Sequence, residues 1–109
     1  MGDLERDIQE LQEKTARTRY DFLKAEIQTC FTAAEMGEFE LSEGNIEIVE
    51  REVAFVEKGI HTIERFLPGV SRELQSGLAD SLIKLRAKLD SLRSALKRQA
   101  DGDSPTYSS

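Results

Sequence analysis

The sequence predicts an all-α protein, an antiparallel three-helix bundle in up-down-up order with a long first helix. Three stretches of the 109-residue chain carry apolar residues at alternating spacings of three and four, which places them on one face of a helix. Two turn-forming dipeptides, Gly44-Asn45 and Pro68-Gly69, separate these stretches. Short turns join antiparallel neighbours, so the three apolar stripes can meet in one core.

Helix one is expected over residues 4–43. Its apolar stripe consists of Leu23, Ile27, Cys30, Ala34, Gly37 and Leu41. A break at Gly37 is the alternative, but Leu41 continues the stripe and favours one uninterrupted helix. Gly44 is then expected in the left-handed conformation that ends many helices, with Asn45 capping helix two.

Helix two is expected over residues 46–67, where Pro68 prevents further helix. Its stripe is Ile46, Val49, Val53, Val56, Ile60, Ile63 and Leu67. Helix three is expected over residues 71–98, with Ser71 as its N-cap. Its stripe is Leu78, Leu82, Leu85, Leu89, Leu92 and Leu96.

Gly59 and Gly77 interrupt helices two and three. Each glycine costs about 1 kcal/mol relative to alanine in a helix interior. Close approach of a neighbouring helix is the expected reason for both. Residues 1–98 therefore form one helical domain, and residues 99–109, which lack apolar periodicity, are expected to be a disordered tail.

The three helices differ in length, at about 60, 33 and 42 Å. If the Gly44 turn aligns the first two helices, helix two covers helix one back to about Phe22, and residues 4–18 project beyond it. This segment has its own short stripe, formed by Leu4, Ile8, Leu11, Thr15, Thr18 and Phe22. The segment is either a frayed or partly covered extension, or a surface for self-association or a partner helix, with Leu4, Ile8, Leu11 and Thr15 as the candidate contacts.

The net charge of −6 argues against nucleic-acid binding, which relies on basic residues. Residues 35–52 contain seven glutamates and one arginine, whereas residues 84–98 contain six basic residues and one aspartate. Antiparallel packing brings these stretches together, so we expect ion pairs between helices, with a basic surface for a partner as the alternative. The chain contains no run of about 18 apolar residues, and no membrane span is expected.

Helix two carries a second apolar face, formed by Ile48, Phe55 and Phe66. In a three-helix bundle one of the two faces is expected to pack against helix one and the other against helix three. The alternative is an exposed groove that receives another helix.

His61 lies between Glu57 and Glu64 on one face of helix two. A metal-binding or ligand-binding bundle that uses these three residues is the alternative function. A single histidine cannot supply the repeated Glu-x-x-His pattern of carboxylate metal sites, so we expect a solvated flank with a Glu57–His61 hydrogen bond, no metal and no cofactor.

The sequence contains no recognisable catalytic arrangement. Cys30, the single cysteine, lies on the apolar stripe of helix one and has no nearby base. No carboxylate occupies a core position where burial would raise its pKa. We therefore expect a non-enzymatic protein with a reduced, buried cysteine in the cytoplasm.

The segment from Ala33 to Asn45, followed by Val49, Val53 and Val56, loosely resembles one tetratricopeptide-type helical hairpin. Residues 17–24 and 59–67 also resemble small uncharacterised bacterial helical proteins. A tetratricopeptide-like hairpin implies a scaffold or adaptor that binds protein. The expected function is thus a small helical scaffold, adaptor or self-association module, for example a homodimer, acting through helix contacts.

Overall fold

A computed structural model describes residues 2–102 as three helices. These are α1 (Gly2–Ser42), α2 (Ile46–Phe66) and α3 (Arg72–Gly102), with a 3₁₀ turn (Leu67–Gly69) between α2 and α3. The all-α prediction is confirmed, and this part of the chain contains no strand. Helix α3 continues to Gly102, so residues 99–102 are helical and not part of a tail, while residues 103–109 lie outside the described residues.

Helices α1 and α2 run antiparallel. The ring of Phe22 lies 6.3 Å from the ring of Phe66, and Cys30 lies against Gly59. Residue numbers along α1 therefore rise as those along α2 fall. The two helices form a hairpin whose open end is near Phe22.

Helices α2 and α3 also run antiparallel. Glu64 pairs with Arg86 at 3.0 Å, and Glu57 pairs with Arg93 at 2.8 Å. Because both α1 and α3 oppose α2, they run parallel to each other. The up-down-up arrangement follows from these contacts.

The core lies where the three predicted stripes meet. The buried apolar residues are Leu23, Ile27, Cys30, Ala33, Ala34, Val49, Val53, Val56, Ile60, Ile63, Val70, Leu78, Leu82, Leu85, Leu89 and Leu92. Leu41, Leu67 and Leu96, at the ends of the stripes, pack against this cluster while partly exposed. Apolar periodicity thus located most of the core, but Ala33 and Val70 are buried outside the predicted stripes, and Ile46, at the start of the helix-two stripe, is only partly buried.

The turn between α1 and α2 is formed by Gly44. Helix α1 passes through Gly37 without a break, and Gly44 has a φ of 80°, as predicted. The predicted cap is wrong in its chemistry, because Asn45 makes no side-chain cap hydrogen bond to α2. Its Nδ2 instead donates to Glu40 Oε2 at 2.6 Å, so the amide ties the turn back to α1.

The link between α2 and α3 is anchored by three hydrogen bonds. Gln75 Nε2 donates to the carbonyl oxygens of Val70 at 2.6 Å and Pro68 at 3.4 Å, and Val70 itself is buried. Arg19 Nη1 donates to the carbonyl oxygen of Gly69 at 3.3 Å. This last bond marks the point on α1 where the bundle begins.

Two glycines lie at close helix contacts, and a third does not. A Cβ at Gly59 would lie 2.2 Å from Cys30 Sγ, and one at Gly37 would lie 2.8 Å from Leu92 Cδ2. Close approach therefore explains Gly59 as expected. The same expectation is wrong for Gly77, because a Cβ there would meet nothing within 4 Å.

The molecule is a rod of 83 × 19 × 16 Å with a radius of gyration of 19.6 Å. A compact domain of this length would have a radius of gyration of about 13 Å. Helix α1, 41 residues long, accounts for about 61 Å of the length of the rod and extends well beyond the 21-residue α2. The residues before Arg19 form this overhang.

Candidate partner-contact face

The overhang of α1 is exposed over most of its length. Every residue from 3 to 15 is exposed, over roughly 20 Å of helix. Three large apolar side chains lie there on one face: Leu4 is 67% exposed, Ile8 49% and Leu11 65%. We call Leu4, Ile8, Leu11 and Thr15 the N-terminal contact face, and the structure places all four of these predicted residues on the overhang.

The threonines of the short stripe are compatible with an apolar contact. Thr15 Oγ1 donates to the carbonyl oxygen of Leu11, and Thr18 Oγ1 to that of Lys14, each at 2.9 Å. Both hydroxyls are therefore satisfied within α1. The methyl group is the remaining part of each side chain for contact with another molecule.

The N-terminal contact face continues into an aromatic groove. Leu11, Thr15 and Thr18 line this groove of about 500 Å³ together with Phe22 and Phe66. The two rings meet edge to face and remain 50% and 40% exposed, respectively. The ring of Phe66 thus packs against Phe22 of α1.

A second apolar groove of about 460 Å³ lies between α1 and α2. Its apolar lining comes from Ala33, Met36 and Phe55. Phe55 is 46% exposed, so the expectation that both apolar faces of α2 are packed against neighbouring helices is wrong at this position. The exposed groove, which was the alternative, describes this side of α2 better.

The two glutamates beside His61 are both engaged with arginines of α3. Glu57 Oε1 accepts from Arg93 Nε at 3.2 Å and Nη2 at 2.8 Å, and Glu64 Oε1 lies 3.0 Å from Arg86 Nη2. His61 is exposed, and Glu57 is paired with Arg93 where we expected a bond to His61. Within the described residues, no group of three or more His, Cys, Asp or Glu residues is placed to hold a metal ion. A metal ion at this flank would compete with both arginines for these carboxylates.

The expected ion pairing between the acidic and basic stretches occurs once. Lys88 Nζ lies 2.7 Å from Glu38 Oε1, and this pair joins residues 84–98 to residues 35–52. The other two pairs between helices use the glutamates beside His61, which lie further along α2. Ion pairing between helices is therefore confirmed, but most of its partners were assigned incorrectly.

Cys30 is a structural residue of the α1–α2 contact. Its side chain is fully buried. Burial, together with the nearby charge of Glu26, raises the pKa of its thiol from 9.0 to about 11. The thiol is therefore protonated at neutral pH and a poor nucleophile.

Comparison of the chain with protein-family models, curated proteins and solved structures finds no match. The tetratricopeptide resemblance thus gains no support, and α1 alone, at 41 residues, is longer than a whole repeat of about 34 residues. None of the described helices has a stretch long and apolar enough to cross a membrane.

Proposed function

We propose that this protein is a small non-enzymatic scaffold, adaptor or self-association module that binds a protein helix at its N-terminal contact face. The observation that carries the proposal is the overhang of α1, where Leu4, Ile8 and Leu11 share one exposed face. The cytoplasm is the expected location, because Cys30 is an unpaired thiol.

A partner helix would cover the apolar face that the overhang leaves exposed. Most helical stability in proteins comes from packing an apolar face, and in the overhang every residue from 3 to 15 remains exposed. Full burial of one leucine or isoleucine side chain contributes about 1.5–3 kcal/mol. Covering three such side chains would therefore stabilise both the helix and the complex.

A role in binding also agrees with the chemistry of the other side chains. Cys30 is buried with a raised pKa, and the glutamates at positions 57 and 64 are paired with arginines. Groups held in this way serve helix packing better than acid, base or nucleophilic catalysis.

Site-specific photo-crosslinking tests the proposal. A photoreactive amino acid replaces Leu11 in one variant and Ile83, on α3, in the control; the two positions are 65% and 61% exposed, respectively. We expect a discrete crosslinked product in cells from position 11 and none from position 83. Absence of a product at position 11, or equal products at both positions, would refute a contact role for this face.

A further inference from the structure

We infer that the helix bound at the N-terminal contact face is the same segment of a second copy, paired antiparallel so that Ile8 of each copy faces Leu11 of the other. This inference rests on the proposed function and specifies its partner. Charge along the overhang, the register of its apolar residues and the position of the bundle all support it.

The overhang has an acidic half and a basic half. Residues 3–10 contain four acidic residues and one arginine, whereas residues 13–19 contain one glutamate and three basic residues. Antiparallel pairing places the acidic half of each copy beside the basic half of the other. Parallel pairing places like charges together and also aligns the two helix dipoles unfavourably.

One antiparallel register satisfies both the apolar and the charged positions. When Ile8 faces Leu11 of the second copy, Leu4 faces Thr15, whose hydroxyl is already bonded within the helix. At the edge of the contact, Asp7 then lies beside Lys14 of the second copy. Two-fold symmetry repeats each of these contacts, which gives two apolar Ile8–Leu11 layers and two opposite-charge pairs.

The competing arrangements bring like charges together. Shifting the antiparallel register by one heptad places Lys14 of one copy beside Lys14 of the other, and Asp7 of each copy beside Asp21 of the other. Parallel pairing places Lys14 beside Arg19 of the second copy. Like charges at such positions oppose association, so charge selects the register and the direction together.

The bundle leaves room for this register. Residue 3 of one copy lies opposite residue 16 of the other, before Arg19 makes its hydrogen bond to Gly69 at the start of the bundle. The two bundles therefore point away from each other, and the dimer is a rod of roughly 140 Å, compared with 83 Å for one copy. Because the overhang continues a helix already formed in the bundle, pairing avoids the nucleation step that limits short isolated coiled coils.

Charge reversal in the full-length protein tests the inference. Asp7→Lys and Lys14→Asp each create two like-charge pairs in the antiparallel dimer, and we expect each variant alone to dimerise about tenfold more weakly than the parent. An equimolar mixture of the two variants restores opposite charges at both pairs and should form a heterodimer of near-parental affinity. Asp80→Lys, which changes an exposed acidic residue of α3 in the same way, should dimerise like the parent.

Sedimentation equilibrium gives the dissociation constants, and small-angle scattering gives the length of the particle. Supporting results are rescue in the mixture and a maximum dimension near 140 Å. A parent dimer no longer than about 90 Å, or a mixture no tighter than the single variants, would overturn the antiparallel register. A monomeric parent whose position 11 still crosslinks to a different protein would overturn self-pairing and leave the proposed function standing. If position 11 gives neither a self-crosslinked dimer nor a crosslink to another protein, both self-pairing and the proposed function are refuted.

Discussion

The substitution Gly59→Ala adds one methyl group at the closest approach of α1 and α2. The new Cβ would lie 2.2 Å from Sγ of the fully buried Cys30, and non-bonded heavy atoms prefer separations of about 3.5–4.0 Å. Relieving this overlap requires the cysteine to leave its position or the helices to separate. Overpacking of this kind costs about 1–3 kcal/mol, offset by about 1 kcal/mol from removing a glycine from a helix interior. We expect a net loss of about 1 kcal/mol of unfolding free energy.

A double-mutant cycle separates the steric effect from helix propensity. In a Cys30→Ala background the clashing sulfur is absent. The new methyl group at position 59 would then lie 3.9 Å from the Cβ of residue 30, an ordinary van der Waals contact. Gly59→Ala should then be neutral or stabilising by up to about 1 kcal/mol. Gly77→Ala is the matched control, because a Cβ there meets nothing within 4 Å and should stabilise by about 1 kcal/mol in either background.

Urea unfolding followed by circular dichroism measures these differences. The four variants of the cycle and the two carrying Gly77→Ala are compared at one low protein concentration, so that association does not contribute. Coupling of about 1–2 kcal/mol between positions 30 and 59 is the expected result. Equal stabilisation by Gly59→Ala and Gly77→Ala in the parent chain would show that α1 and α2 do not approach as closely as described here.

Three further predictions concern the turn, the cysteine and the ion pairs. Gly44→Ala should destabilise by about 1–2 kcal/mol in thermal unfolding, through backbone strain alone, since its φ is 80° and no atom lies within 4 Å of a new Cβ. The folded chain holds the pKa of Cys30 at about 11 against 9.0 when unperturbed, so this residue's contribution to stability should be constant below about pH 9 and decline as pH rises towards 11. A Cys30→Ala variant should lack that decline, and parallel pH profiles of the two proteins would contradict the assignment. Arg93→Gln should cost less than about 1 kcal/mol, and less still at high salt, because its pair with Glu57 is partly exposed; a loss well above that value would indicate a role in the core.

Much of the fold could be predicted because helix periodicity is a local signal. The residues at positions 23, 27 and 30 of α1 share a face whatever surrounds them, and all three are buried. Gly44 was predictable for a similar reason, since the left-handed conformation depends mainly on the residue that adopts it. The overhang could be predicted because helix one is much longer than helix two.

The candidate face could be predicted only in part. The stripe of Leu4, Ile8 and Leu11 was visible in the sequence, but its continuation through Phe66 was not, because that ring belongs to another helix. The ion pairs were misassigned for the same reason: the registry of α2 against α3 depends on packing across the core. Gly59 and Gly77 look alike in sequence, and only their neighbours distinguish them.

The sequence by itself determined the helices, their apolar faces and the unequal lengths that leave the start of α1 uncovered, because each of these depends on residues close together in the chain. Tertiary structure alone decided which glycine lies against Cys30, which arginine holds which glutamate, and that Phe66 extends the contact face beside Phe22. Those features depend on distances between helices, which side-chain packing sets and local spacing does not encode.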